Sequence, residues 1–269
     1  MSTAPKPPFA PSVEGLPVVV VPCFNEERRI DASAFLNLAE AGVRLLFVDD
    51  GSTDGTRVLL EGLSLQSGEI SVLELPRNMG KAEAVRRGLL RAVESGTEIV
   101  GFLDADLSTP GCELMRMIAI LRERSDLVGV FGSRVARLGS HIRRSPVRHY
   151  SGRVFATFAS LALGVPFYDT QCGAKVFRVN ENFVAAIQLP FHSAWSFDVL
   201  LCKRLFEGSY EIPGMPTSSF LEMPLGEWTD VSGSKLNLSG SALAFWDVFV
   251  MGVARYASRR KKPSRGGLP

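Results

Sequence analysis

Histidine is scarce in this chain. His141, His149 and His192 are the only three in 269 residues, and none stands at metal-ligand spacing from another histidine or a carboxylate, so they are given no metal role. Cys23, Cys112, Cys172 and Cys202 are scattered without a CxxC pair, a pattern that suits neither a zinc-thiolate cluster nor a disulfide framework and reads as reduced thiols in a cytoplasmic protein. Charge of one sign is lacking too. The formal net charge is only +2, so the field of the whole molecule says little about partners, and electrostatic arguments rest on local clusters.

Long apolar runs are also missing. A membrane-crossing helix needs about 20 mostly apolar residues. Phe155–Phe167 is interrupted by Thr157, Ser160, Gly164 and Pro166, and Ala242–Val253 by Asp247, so no transmembrane segment is expected. The start of the chain carries Pro5, Pro7, Pro8 and Pro11 without a cationic stretch leading into an apolar one. It reads as a flexible lead-in over residues 1–16 and not as a signal peptide. No internal repeat is visible.

What the chain does have is alternation. Pro17–Pro22, Arg44–Val48, Ile70–Leu75, Glu98–Leu103 and Leu127–Phe131 are short apolar runs without polar alternation, the pattern of strands covered on both faces. Between them helical spacing is expected over Glu26–Glu40, Thr56–Leu65, Lys81–Glu94 and Pro110–Glu123. In the third of these Ala84, Val85, Leu89 and Val93 form the buried stripe, and Arg86, Arg87 and Arg91 face elsewhere. Strand and helix alternate from residue 17 to about 133, which predicts a doubly wound, Rossmann-like α/β sheet whose ligands sit beyond the carboxyl ends of the strands.

The acidic clusters fall at those ends. Asp104-Ala105-Asp106 places two carboxylates two residues apart, on one side of extended chain, where a divalent ion such as Mg²⁺ or Mn²⁺ can join them to phosphate oxygens. An isolated pair of this kind is as readily a helix cap for the segment after Pro110. Two neighbours change the weighing. Asp49-Asp50-Gly51-Ser52-Thr53-Asp54-Gly55 ends the second strand, and Pro22-Cys23-Phe24-Asn25-Glu26 ends the first.

VPCFNE, VDDGSTDGT, NMGKAEAVRRG and DADLSTP, in this order, resemble the family 2 glycosyltransferases. The resemblance implies a GT-A fold: a mostly parallel sheet with a mixed C-terminal extension on the acceptor side. It implies donor contacts at Pro22, Asn25, Glu26, Asp49, Asp50 and Gly51, a diphosphate region at Lys81, and a divalent metal held by Asp106 with Asp104 near the ribose or the metal. Further on, DTQCGAKVF (169–177), WSFD (195–198) and EMPLGEWTD (222–230), leading into Gly233-Ser234-Lys235-Leu236, resemble the dolichyl-phosphate β-glucosyltransferases and their prokaryotic polyprenyl-phosphate relatives. The chain departs from that pattern at Ala174, where an aromatic is common, at Leu200, where an acid is common, and in lacking the membrane helix of many relatives. On this reading residues 17–133 bind the nucleotide-sugar, 134–256 complete the same domain on the acceptor side, and 257–269 are a basic tail.

The resemblance further implies an inverting hexosyl transfer, with UDP-glucose as donor and a polyprenyl or dolichyl phosphate as acceptor. A lipid phosphate is already ionised at neutral pH, so orientation and leaving-group stabilisation would carry the reaction. Asp169 and Asp198 are candidates to orient hydroxyls, and Asp198 is the better base for an alcohol acceptor. Between Arg134 and Arg153 stand six arginines, His141 and His149, with no acid. Such a run is about as often a solvated face, but arginine suits phosphate, and Arg134 and Arg148 are the first candidates for the acceptor.

The apolar stretch Val154–Leu163 reads either as a buried helix or as an interfacial one. A second basic cluster, Arg255 to Arg265, follows the aromatic-rich Phe245–Tyr256, and together they suggest peripheral attachment at the cytoplasmic face of an anionic membrane. No nucleic-acid module surrounds the tail. A processive polymer synthase is disfavoured for want of a QxxRW motif. The intact Asp50, Lys81, Asp104 and Asp106 argue against a non-catalytic sugar-nucleotide binder, and a family 2 enzyme with a soluble or glycan acceptor is the nearer alternative.

Overall fold

Apolar segments without alternation belong where a sheet is covered on both sides, and the strands form there. The computed structural model describes residues 15–191, 196–209, 211–231 and 248. Nearly all of the Pro-rich lead-in, His192, Trp195, the Gly233–Leu236 segment, most of Phe245–Tyr256 and the basic tail lie outside the described residues.

The elements in chain order are β1 (Val18–Cys23), α1 (Ala32–Glu40), β2 (Arg44–Asp49), α2 (Thr56–Gln66), β3 (Ile70–Glu74), α3 (Lys81–Val93), β4 (Ile99–Leu103), α4 (Gly111–Glu123) and β5 (Gly129–Ser133). There follow β6 (His141–Arg143), α5 (Pro146–Leu163), β7 (Ala174–Arg178), α6 (Glu181–Gln188), α7 (Phe197–Glu207), the short strands β8 (Gly208–Ser209) and β9 (Ile212–Pro213), then β10 (Phe220–Pro224) and β11 (Glu227–Thr229).

A seven-stranded sheet runs in the order β10-β5-β7-β4-β1-β2-β3. All its pairings are parallel except those of β7, which is antiparallel to β4 and to β5. The expected mostly parallel sheet with a mixed second half is therefore present. Residues alternate between two cores. Val18, Val20, Leu46, Val48, Val100 and Phe102 pack with Val85 and Leu89 of α3 and with α5, α6 and α7. Val19, Val21, Leu45, Phe47, Val130 and Val176 pack with Phe35 of α1, Leu60 of α2 and Met117 of α4.

One sequence expectation is corrected. The first helix begins at Ala32 and not at Glu26, because Asp31 accepts from the Ala34 amide (3.1 Å) as an N-cap. Residues 26–30 form a turn instead, with the Arg29 and Ile30 amides donating to the Glu26 carbonyl. Arg86 turns off the apolar stripe of α3 toward α6. It is buried, paired with Glu83, and donates to the carbonyls of Ile187 (3.3 Å) and Gln188 (2.9 Å) at the end of α6. Arg204 of α7 caps the same helix end through Ala186, Leu189 and Pro190, so two cations meet the negative pole of α6 and tie α3 to α7.

Gly88 lets α3 lie directly on the sheet, since a Cβ there would overlap the Val20 and Val48 side chains. Gly88→Ala gains about 1 kcal/mol in helix propensity and loses about 1–3 kcal/mol to overpacking. The expected net result is a lower denaturation midpoint, and a midpoint at or above that of the wild type would show that α3 can lift without cost.

Candidate active site

The loops at the carboxyl ends of β1 and β2 are knitted together by short polar side chains. Asn25, at φ +52°, accepts from the Thr53 amide (2.8 Å), while its own amide donates to Ser52 Oγ (3.0 Å). The Glu26 amide donates to Thr56 Oγ1 (2.7 Å), and Asp49 accepts from the Ser52 amide (3.0 Å). Gly51, at φ +69°, has no room for a side chain, because a Cβ would fall on the backbone of Arg77 and Asn78. Pro22 lies one residue before the end of β1, opposite Val48.

Asp50 is buried, and its two oxygens accept from the amides of Met79 (2.7 Å) and Gly80 (2.8 Å). Burial pushes its carboxyl up despite those bonds. This fixes the start of α3, whose first residue is Lys81.

Lys81 Nζ lies 2.5 Å from Asp104 Oδ1. Arg29 Nη2 donates to Asp106 Oδ2 (2.7 Å) and Nη1 reaches Glu26. The Asp106 Oδ1 atom accepts from the Ser108 amide (3.0 Å), and Leu107 at φ +50° closes the turn. Arg29 was not foreseen, because a helix from Glu26 would have pointed it elsewhere.

Among the described residues no group of three histidine, cysteine or acidic side chains could hold a metal. Mg²⁺ is commonly held by one or two carboxylates plus substrate phosphates, and the pair Asp104 and Asp106 offers that donor set. Each carboxylate here faces a cation, so the turn already demands positive charge. Gly173 adds a cradle: its carbonyl accepts from the Asp104 amide (3.0 Å), and any Cβ there would collide with the Asp104 carboxylate. The residues fit a divalent ion.

Arg134 and the buried Asp169 form a partly buried bidentate pair, Nε to Oδ2 at 2.5 Å and Nη2 to Oδ1 at 2.7 Å, with the Arg134 amide also donating to Oδ2. The guanidinium stands 5.3 Å from the Trp228 ring centroid. Glu222 of β10 accepts from the amides of Tyr168 (2.9 Å) and Asp169 (2.6 Å) and so sets the pair's orientation. Asp169 and Arg134, separate candidates for substrate contact in the sequence, are here each other's partner.

Asp198, at the start of α7, accepts from Lys175 Nζ (2.6 Å). Burial raises its carboxyl, opposed by the charges of Lys175 and Lys81. Lys175, fully buried in β7, belonged to the sequence motif without a role. The signal that could have found it is a lysine inside an apolar strand, Ala174-Lys175-Val176-Phe177.

Of the arginine-rich segment, Arg143 lies in β6, which pairs with β11, Arg148 and Arg153 lie in α5, and Arg134, Arg137 and Arg144 lie in the connections. Arg148 lies on α5, but its side chain is outside the described residues. The helix Val154–Leu163 is apolar on both sides. Phe155, Ala156, Ala159 and Leu163 are buried, whereas Val147, Tyr150, Val154, Phe158 and Leu161 form a stripe that is 41–79% exposed. Among the described residues no helix is long and apolar enough to cross a membrane.

A parallel sheet with one reversed strand and an acidic turn at its carboxyl edge defines a GT-A glycosyltransferase. Residues 18–182 match the model of glycosyl transferase family 2, and the chain belongs to that family. It is 30% identical over 286 residues to the dolichyl-phosphate beta-glucosyltransferase of Drosophila melanogaster, covering 94% of this chain and 82% of that one. It is 25% identical to the polyprenol monophosphomannose synthase of Mycolicibacterium smegmatis, covering 86% of each. Glucosyl-3-phosphoglycerate synthase from Mycobacterium tuberculosis, in complex with Mn²⁺, UDP and phosphoglyceric acid, shares the fold at a TM-score of 0.63 and 20% identity, over 94% of this chain and 82% of that one.

Burial alone would raise the Asp169 carboxyl, but the Arg134 guanidinium outweighs it and holds the group at about 2, against an ordinary 3.8. A folded value below the unfolded one contributes stability that is complete above about pH 5 and is lost as pH falls toward 2. The contribution is about 2 kcal/mol. In denaturant titrations Asp169→Asn is expected to lose about 3–5 kcal/mol at pH 7, since a buried guanidinium is left uncompensated. Its stability should then fall less steeply than the wild type's between pH 5 and 2, and parallel curves would contradict the pairing.

Proposed function

We propose that this protein transfers a hexose, glucose from UDP-glucose, to the phosphate of a polyprenyl or dolichyl carrier, with inversion and with Mg²⁺ or Mn²⁺ as cofactor. The observation that carries this reading is the meeting of an acidic turn with a partly buried, anchored arginine. Arg134 feels the charge of Asp104, and its Nη1 takes no hydrogen bond among the described residues. A phosphate at Nη1 would lie beside the donor's diphosphate. The relatives named for dolichyl and polyprenol phosphates support the choice of acceptor.

On this reading the loops of Asn25, Glu26, Asp49, Asp50 and Gly51 hold the nucleoside, and Lys81 and Arg29 take up diphosphate charge. Asp104 and Asp106 would hold a divalent ion, which would supply charge neutralisation for the leaving group. Arg134 positions the acceptor phosphate, one of whose oxygens attacks the anomeric carbon opposite the leaving diphosphate. The new C–O bond forms as the old one breaks, and the electron pair leaves with the nucleoside diphosphate. Asp198 accepts from a hydroxyl of the sugar. No base is needed.

A second reading, an alcohol acceptor, is favoured by one observation: the raised proton affinity of Asp198 in the site suits a general base. Purified protein is incubated with polyprenyl phosphate, Mg²⁺ or Mn²⁺ and radiolabelled UDP- and GDP-sugars, and label in the organic phase is counted. Metal-dependent label from UDP-glucose is expected, with Asp106→Ala reducing it at least 100-fold. Asp198→Asn is expected to slow lipid-phosphate transfer by about 10–100-fold; a loss of about 10⁴-fold with donor binding intact would favour the alcohol acceptor, since general-base catalysis contributes about 10²–10⁴. Label from another donor would replace the sugar.

The exposed stripe of α5 supports attachment to a membrane, because a row of large apolar side chains at helical spacing follows directly on the arginine-rich segment. The protein is expected to co-sediment with anionic liposomes and to lose most of that binding when Val154, Phe158 and Leu161 are changed to aspartate. Equal sedimentation with neutral and anionic vesicles, or no effect of the triple change, would overturn it.

A further inference from the structure

Lys175 has no exposed surface. It rises from the second position of β7, the strand that enters the sheet at the substrate edge, and its ammonium donates to the Cys172 carbonyl (2.6 Å) and to Asp198 Oδ1 (2.6 Å). The same nitrogen stands 5.0 Å from the centroid of the Phe102 ring, on the adjoining strand β4. All three surroundings are rigid: a turn before β7, the first turn of α7, and a core phenylalanine. A lysine is almost never buried this deeply unless it is paired, and ordering its long stem is costly. A purely structural need at this place would be met by an apolar residue of similar volume, since replacing a buried ion pair by such residues is often neutral.

What the pair provides is an oriented carboxylate. Only one oxygen of Asp198 is taken by Lys175, and Oδ2 takes no hydrogen bond among the described residues. The charged and titratable groups around Asp198 come from four elements: Lys175 on β7, Lys81 at the start of α3, Asp104 at the end of β4, and Cys202 one turn further along α7. Lys81 and Asp104 are members of the diphosphate and metal site, so Asp198 projects toward the reacting groups while Lys175 stands behind it.

We infer that Lys175 is a positioning residue of the transfer reaction: it fixes the Asp198 carboxylate by one oxygen so that the other is presented to a hydroxyl of the donor sugar or of the acceptor. The inference rests on the proposed glycosyl transfer and goes beyond it by assigning a role to a side chain that touches no substrate. It also gives a reason for the clamp of Arg86 and Arg204 on α6, which holds α3 and α7, and with them Lys81 and Asp198, at a fixed separation.

The test is a double-mutant cycle of Lys175→Met and Asp198→Asn, with Lys175→Arg as the conservative change. Lys175→Met is expected to lower kcat by about the same 10–100-fold as Asp198→Asn, with the donor KM within about threefold. In the Asp198→Asn background Lys175→Met should cost nothing more, and Lys175→Arg should keep kcat within about fivefold of the wild type. Additive losses, or a Lys175→Met enzyme with wild-type kcat, would overturn the inference. Where Lys175→Met alone does not fold, the double variant, whose buried groups are both neutral, is compared with Asp198→Asn. Equal turnover supports the role, and a further tenfold loss refutes it.

A readout independent of turnover separates this from failure of the proposed function. With ¹³C-labelled aspartate, the Asp198 Cγ resonance, assigned by its absence in Asp198→Asn, should report a carboxylate at pH 7 and move toward the protonated value in Lys175→Met. An inactive wild type with this shift would sink the transfer reading and leave the pair intact. An unmoved resonance would show that Lys175 does not govern Asp198.

Discussion

Negative charge gathered in one half-buried place has to be matched, and this site is built around that requirement. Each carboxylate brought to the edge of the sheet has its own donor. Asp50 takes two backbone amides, Asp104 takes Lys81, Asp106 takes Arg29, Asp169 takes Arg134 and Asp198 takes Lys175. Remove the match and a carboxylate would hold a proton or swing toward solvent. The pairings differ in permanence. Asp198–Lys175 is buried and Asp169–Arg134 largely so, and both bind parts of the protein to one another, whereas Lys81 and Asp104 are partly exposed.

The succession of strands and helices up to about residue 133 and the acidic clusters were legible in the sequence because both depend on short-range pattern. An apolar run such as Val18–Val21 reads as a covered strand whatever its neighbours are, and a carboxylate after a strand falls at the carboxyl edge by topology alone. The cations were not legible in the same way. Arg134 and Asp169 are 35 residues apart, and Arg29 and Asp106 are 77 apart, so only the folded chain reveals who neutralises whom. Arg86 is a related case. Its place on a helix wheel sets it off the apolar stripe, but only the fold shows that α6 covers that side and offers carbonyls to it. The overlong first helix was a local error, since Asp31 already carried the N-cap signal.

The two parts of the chain divide the work unevenly. The first part supplies loops that are short, crossed by hydrogen bonds between Asn25, Ser52, Thr53 and Thr56, and set by glycines that tolerate no side chain. The second supplies long side chains on a layered support, Glu222 behind Asp169, Asp169 behind Arg134, and Trp228 beside it. Backbone-built surfaces suit a ligand of constant shape. Side-chain surfaces suit one whose identity varies between relatives.

The reversed strand β7 has a consequence for how such enzymes can diverge. Because β7 runs against β4 and β5, the chain leaves the substrate edge after Ser133 and comes back to that same edge at Gly173. Both ends of the excursion are pinned, one by Arg134 on Asp169 and the other by Gly173 against Asp104. Its middle, β6 and α5, contributes no strand to the seven-stranded sheet. Residues can be gained or lost in the connections on either side of β6 without shifting the register of that sheet, whereas α5 is held to the core by Phe155, Ala159 and Leu163. On the proposed function, the exposed connections of this excursion are where a lineage can exchange one acceptor for another, while the loops after β1 and β2 pass on unchanged.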